Sequence, residues 1–173
     1  MGTKIITNLQ RTDWQEMVED AKSKLGCNKS SKIDEPLVDI ILKSIDRPEI
    51  IDFDLKRNAD YLSDINTFSD AEIEYAADQC LIQIGLFPNR LQQIACPVFL
   101  IIYSGRLFYK TLGEKDNDHQ TKHFIQLSKH FILAMDILLT LREHFFQEPL
   151  HPEIFQQLID CTTSQYAFKQ LNS

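Results

Sequence analysis

The chain has 173 residues, 43% of them hydrophobic, and a net charge of −7, enough for one domain whose core removes roughly two-thirds of the unfolded surface from water. Seventeen acidic residues face ten basic ones within residues 1–80, whereas the rest of the chain carries eight of each; no Lys/Arg cluster collects phosphates, which sets aside nucleic acid and anionic lipid as partners. Five glycines and six prolines are too few for a fold of many short strands, so the composition points to helices.

The first predicted helix covers 13–25, with Thr12 or Asp13 capping its free amides, Trp14, Met17, Val18, Ala21 and Leu25 as its apolar stripe, and Gly26 as a left-handed stop. A polar loop over 27–35 leads to a second helix, in which Pro36 occupies the first turn and Leu37, Ile40, Ile41 and Ile45 face inward. Pro48 ends it, because its ring crowds a helical Arg47. Residues 49–53 read as an irregular linker and 54–65 as a helix. Ser69 and Glu72 form a capping box, opening a helix that carries Ile73, Ala77, Cys80, Leu81, Ile84 and Phe87. The following helix starts at Asn89, runs through Leu91, Ile94, Val98, Ile101, Ile102 and Phe108, and is expected to bend at Pro97 in its interior. A charged loop over 113–118 comes next.

The strongest pattern spans 119–147. Phe124, Leu127, Phe131, Ala134, Leu138, Leu141 and Phe145 recur at steps of three and four, and Ile125, Ile132, Leu139 and Phe146 make a second apolar line beside them. A helix apolar around most of its circumference must be enclosed. The predicted architecture is therefore all-α, an irregular bundle of six to seven helices around a long central helix at about 119–147. It forms a single domain over 1–173, with acidic helices in 12–87 and an apolar scaffold in 89–171 whose last helix uses Ile154, Phe155, Leu158, Ile159, Tyr166 and Phe168.

Cys27, Cys80, Cys96 and Cys161 are widely spaced without a C-x-x-C pair, as expected of reduced thiols, and Cys27 in its polar loop is the thiol expected to be exposed. With no leader-type apolar segment and no membrane-spanning run, the expected compartment is the cytoplasm.

No Gly-rich phosphate loop, G-x-S-x-G elbow or H-E-x-x-H motif occurs, which argues against catalysis. His119 and His123 are four residues apart and reach one ion with Asp116 or Asp118, but His130 lies a further seven residues on, about 10 Å along a helix, and no metal site is expected. His123 and His130, set among eleven phenylalanines, are the axial-ligand candidates in an alternative reading as a haem or small-molecule binding sensor. Asp136, inside an apolar run, is either buried against Arg90, Arg106 or Lys129, or lies on a polar strip with Lys129, Thr140 and Glu143; the strip is the preferred reading.

What the sequence leaves is a non-catalytic protein–protein interaction module with a regulatory, adaptor, immunity or effector role and no resident cofactor. Its expected contact surface is acidic, comprising Asp60, Asp64, Asp70, Glu72, Glu74 and Asp78, and fits a partner protein with a basic surface. Arg106 and Tyr109, residue types common in binding hot spots, extend it. A homodimer through apolar surplus on the last two helices is a further expectation.

Overall fold

The computed structural model describes residues 8–27, 32–115, 121–161 and 163–173. The described residues form ten α-helices and two short 3-10 turns, with no strand. The helices are α1 (Arg11–Lys24), α2 (Asp34–Ile45), α3 (Leu55–Ser63), α4 (Asp70–Leu86), α5 (Asn89–Gln93), α6 (Val98–Glu114), α7 (Lys122–Lys129), α8 (Phe131–Phe145), α9 (Pro152–Cys161) and α10 (Gln165–Leu171). Among the described residues no single helix is long and apolar enough to cross a membrane.

Local chemistry sets most of the ends. Gly26 stops the first helix at φ 78°, a left-handed backbone that costs glycine little. The Asp54 carboxylate accepts from the amides of Lys56 and Arg57 at the start of α3. At α4 the capping box closes in both directions, with Ser69 N–H donating to Glu72 Oε2 at 2.8 Å and Glu72 N–H donating to Ser69 Oγ at 3.2 Å. Residues 49–53 are not wholly irregular: Pro48–Ile51 makes one 3-10 turn that buries Ile50.

Three expected helices are each divided in two. Ala95 takes a left-handed φ of 52°, and Pro97, which has no amide to donate, stands just before α6 rather than inside it; the expected bend is a break between α5 and α6. Near the C-terminus, Ser164 caps a separate α10 by accepting from Ala167 N–H.

The third division overturns the expected central rod. Helices α7 and α8 meet at 75°, with His130 between them at φ −109° and ψ 26°. Helix α7 lies along α6 while α8 packs on α4, so the two halves bury different faces. That explains the apolar pattern all round, and at the bend itself Phe124 and Phe131 both contact the Tyr109 ring, one from each side. The polar run Ser128–Lys129–His130 supplies the corner, and Ser128 Oγ donates to the Arg106 carbonyl at 2.9 Å, fixing α7 to α6.

The enclosed element is α4, which packs against both α6 and α8 and is buried at every position from Ala76 to Leu86. Two glycines permit this. A Cβ on Gly85 would stand 2.4 Å from Leu138 Cβ, and one on Gly105 would stand 2.5 Å from the Phe131 ring; only hydrogen fits at these crossings. Each fully buried Leu or Ile around them contributes about 1.5–3 kcal/mol.

Candidate functional site

The six acidic residues expected to form one surface divide into distinct groups. Asp60 and Asp64 are exposed on and just after α3. Asp70 is exposed but pairs with Lys115 at 2.6 Å, Glu72 is held by the α4 cap, and Glu74 pairs with Lys43 at 2.9 Å. Asp78 is buried and so is not part of a surface. Tyr109, expected beside a partner, is also buried, and its hydroxyl donates to Asp78 Oδ1 at 2.7 Å. The expectation failed there because α4 is enclosed on all sides, which turns its Asp78 face inward.

Burial pushes the Asp78 carboxyl up to about 6, against the pull of the Lys43 ammonium and the Tyr109 hydrogen bond. Burial works against the Lys43 ammonium, but Asp78 and Glu74 outweigh it and leave the group above its ordinary range. This cluster ties α2, α4 and α6 together.

Asp136 is likewise interior and not on a polar strip. It accepts from Ser164 Oγ at 2.6 Å and from Gln165 N–H at 2.8 Å, so a carboxylate on α8 caps the start of α10, where the helix dipole favours negative charge. Burial raises its carboxyl to about 6 in spite of those hydrogen bonds. None of Arg90, Arg106 or Lys129 serves as its partner.

His123 is half-buried with its ring 3.9 Å from that of Phe124, and His130 is exposed at the α7–α8 corner. His119, Asp116 and Asp118 lie outside the described residues. Among the described residues no group of three His, Cys, Asp or Glu side chains is arranged to hold a metal. The exposed thiol is Cys161, while Cys27 is only half open, its amide donating back to the Lys22 carbonyl of α1; Cys80 is buried and its thiol pushed far up by burial.

Arg106, by contrast, is exposed on α6 and is joined by residues that the sequence did not single out as exposed. Phe99 and Tyr103 are 58% and 59% exposed. With Arg106 and Lys110 they fall at steps of four, three and four, which places all of them along one outer face. Seen in sequence, Phe99 and Tyr103 merge into a nearly continuous apolar run from Ile94, and only the opposite positions Ile101, Ile102, Gly105 and Phe108, which fill the interior, show which face is free. Phe168 and Leu171 are also exposed, on α10.

A second unforeseen feature is a cleft of about 520 Å³ at the end of α8. Its walls come from the last turn of α8, the connector 146–151, the start of α9 and the outer side of α10. Phe146, Leu150 and Phe155 supply apolar surface; Arg142, Glu143 and Tyr166 supply polar groups. Arg142 also lines an adjoining polar recess of about 180 Å³ together with Asn89, Arg90 and Gln93. In sequence Arg142 sits beside Glu143 near a helix end and looks like a solvated pair. Compared with family models, with curated proteins and with solved structures, the chain matches none.

Proposed function

We propose that this chain is a non-catalytic protein-interaction module, of the regulatory, adaptor, immunity or effector kind, that docks through the outer face of α6. The observation that carries the reading is the pair of large aromatic side chains, Phe99 and Tyr103, left more than half exposed in line with Arg106. Exposed aromatics grouped with arginine are unusual away from contact surfaces and are the types that dominate binding energy. Lys110 extends the line with a second positive charge, so this face suits a partner with an apolar pocket and an acidic rim. Asp60 and Asp64, the two residues of the acidic set whose carboxylates have no partner among the described residues, lie on and just after α3, where Asn58 bonds to Ser104 of α6 at 3.0 Å. Their carboxylates offer contacts for basic groups.

The test is a photo-crosslinking amino acid placed at position 103 in the cells that make the protein. A discrete adduct at 103, absent when the probe stands at Gln156 and lost with Phe99→Ala, supports the reading. No adduct at 103, or the same adducts from both positions, contradicts it. Both side chains are exposed, so Phe99→Ala is expected to leave the thermal midpoint within a few degrees of wild type.

A further inference from the structure

Buried charge is expensive unless it is matched, and the described interior matches its charges with one exception. Lys22 pairs with Asp34 at 2.6 Å, Asp78 is held by Tyr109 and Lys43, and Asp136 by Ser164 and Gln165. Arg142 is only 4% exposed, yet among the described residues its guanidinium makes neither a hydrogen bond nor an ion pair. The neighbouring carboxylate does not serve it, because Glu143 Oε1 accepts from the Tyr166 hydroxyl at 2.7 Å and from Gln170 Nε2 at 3.0 Å. Glu143 and Glu148 lie near enough to favour the charge without bonding to it. Arg142 instead forms part of the wall shared by the 520 Å³ cleft and the 180 Å³ recess.

We infer that this cleft binds a small organic carboxylate, its carboxyl group forked on the Arg142 guanidinium and its apolar body laid against Phe146, Leu150 and Phe155. The planar, fixed donors of arginine match a carboxylate in pairs, and the volume is that of a small-molecule site, roughly 300–1,000 Å³. A singly charged oxyanion fits better than a phosphate dianion, because Glu143 and Glu148 border the larger cleft and repel a second negative charge. Arg90 enters the recess from the far side, where its guanidinium reaches Asp52 only at 3.5 Å, and adds a favourable field. The site stands apart from the α6 face and either reading can fail without the other.

The probe is 4-phenylbutyrate, titrated into the full ¹⁵N-labelled chain while the Arg142 Nε–H resonance and the amides of Phe146 and Leu150 are followed. Saturable movement of all three is expected, with affinity falling at least about tenfold for the neutral amide of the same compound, the loss of one charge-assisted contact. Arg142→Gln should weaken binding by at least about tenfold, and Glu148→Gln should strengthen it about two- to threefold by removing a like charge. Phenyl phosphate should bind more weakly than phenylbutyrate. Absence of saturation, equal binding of the amide, or unchanged binding by Arg142→Gln overturns the assignment, and tighter binding of phenyl phosphate overturns its single-charge chemistry. If Arg142→Gln does not fold, the amide comparison and Glu148→Gln still decide.

Discussion

Asp78 and Arg142 bury a charge to nearly the same degree and do so in opposite company. Around Asp78, three helices converge and every neighbour responds, through the Tyr109 hydroxyl, the Lys43 ammonium and the Glu74 that shares it. Around Arg142, the protein turns the adjacent Glu143 carboxylate toward Tyr166 and Gln170, leaves Glu148 nearby but unbonded, and sets the residue in the wall of a cleft. Two burials of similar depth thus have different meanings: the first is architecture, and the second is a vacancy in the bonding pattern that a ligand can fill. The difference lies in whether partners exist, a property of three-dimensional placement that burial alone does not report.

The largest expected effect sharpens the architectural side. Gly85→Leu forces a branched side chain where even a Cβ would stand 2.4 Å from Leu138, and the cost should exceed the roughly 1–3 kcal/mol typical of an overpacked core. Circular dichroism during thermal unfolding should show a variant that is molten or unfolded at 37 °C. A native-like midpoint would mean that α4 and α8 do not cross there.

The pH dependence comes next. Asp78 and Asp136 both titrate near 6 in the folded chain, above the ordinary 3.8. The folded state therefore holds protons that the unfolded state has already lost. Their contribution is full below about pH 4, falls as pH rises to about 6, and is flat above. Each group accounts for roughly 3 kcal/mol at most, at about 1.4 kcal/mol per unit. Denaturant titrations from pH 4 to 7 should show Asp78→Asn losing less stability across this window than wild type; an equal slope in the two proteins would remove Asp78 from the account.

Smaller effects probe the corner and the surface. Ser128→Ala removes the bond to the Arg106 carbonyl and should cost about 1 kcal/mol, seen as faster amide exchange in α7 with α8 unchanged. Asp60→Lys combined with Asp64→Lys should alter stability by less than about 0.5 kcal/mol, as for most exposed charges. A larger loss in a urea titration would show that these carboxylates are needed by the fold.

Features that depend on a few adjacent residues were readable from sequence. The Ser69–Glu72 box, the Asp54 region as a helix start and the Gly26 stop are written within four positions each, and the all-α class follows from their repetition. What was not readable depends on distant residues. Asp78, Gln79 and Gln83 give α4 the look of a helix with one wet side, and only the arrival of Tyr109, 31 positions away, makes that side interior. The apolar run through 119–147 is the same whether one rod is wrapped or two segments bury different faces at 75°. Asp136 looked surface-bound beside Lys129 and Glu143 because its real partners, Ser164 and Gln165, sit 28 and 29 residues further on. Of the candidate site, Arg106 was foreseen by residue type; the exposure of Phe99 and Tyr103 and the isolation of Arg142 were not, since both are facts about which neighbours are missing.

Urea unfolding of Asp78→Ala beside Arg142→Met at pH 7 tests the contrast most directly. Asp78→Ala leaves the buried Tyr109 hydroxyl without its acceptor and takes from Lys43 one of its two carboxylates, and should lose at least about 2 kcal/mol. Arg142→Met orphans no acceptor and keeps the apolar stem, so it should remain within about 1 kcal/mol of wild type or gain stability. A loss from Arg142→Met as large as that from Asp78→Ala would show that the guanidinium is part of the architecture, and the distinction between the two buried charges would fall.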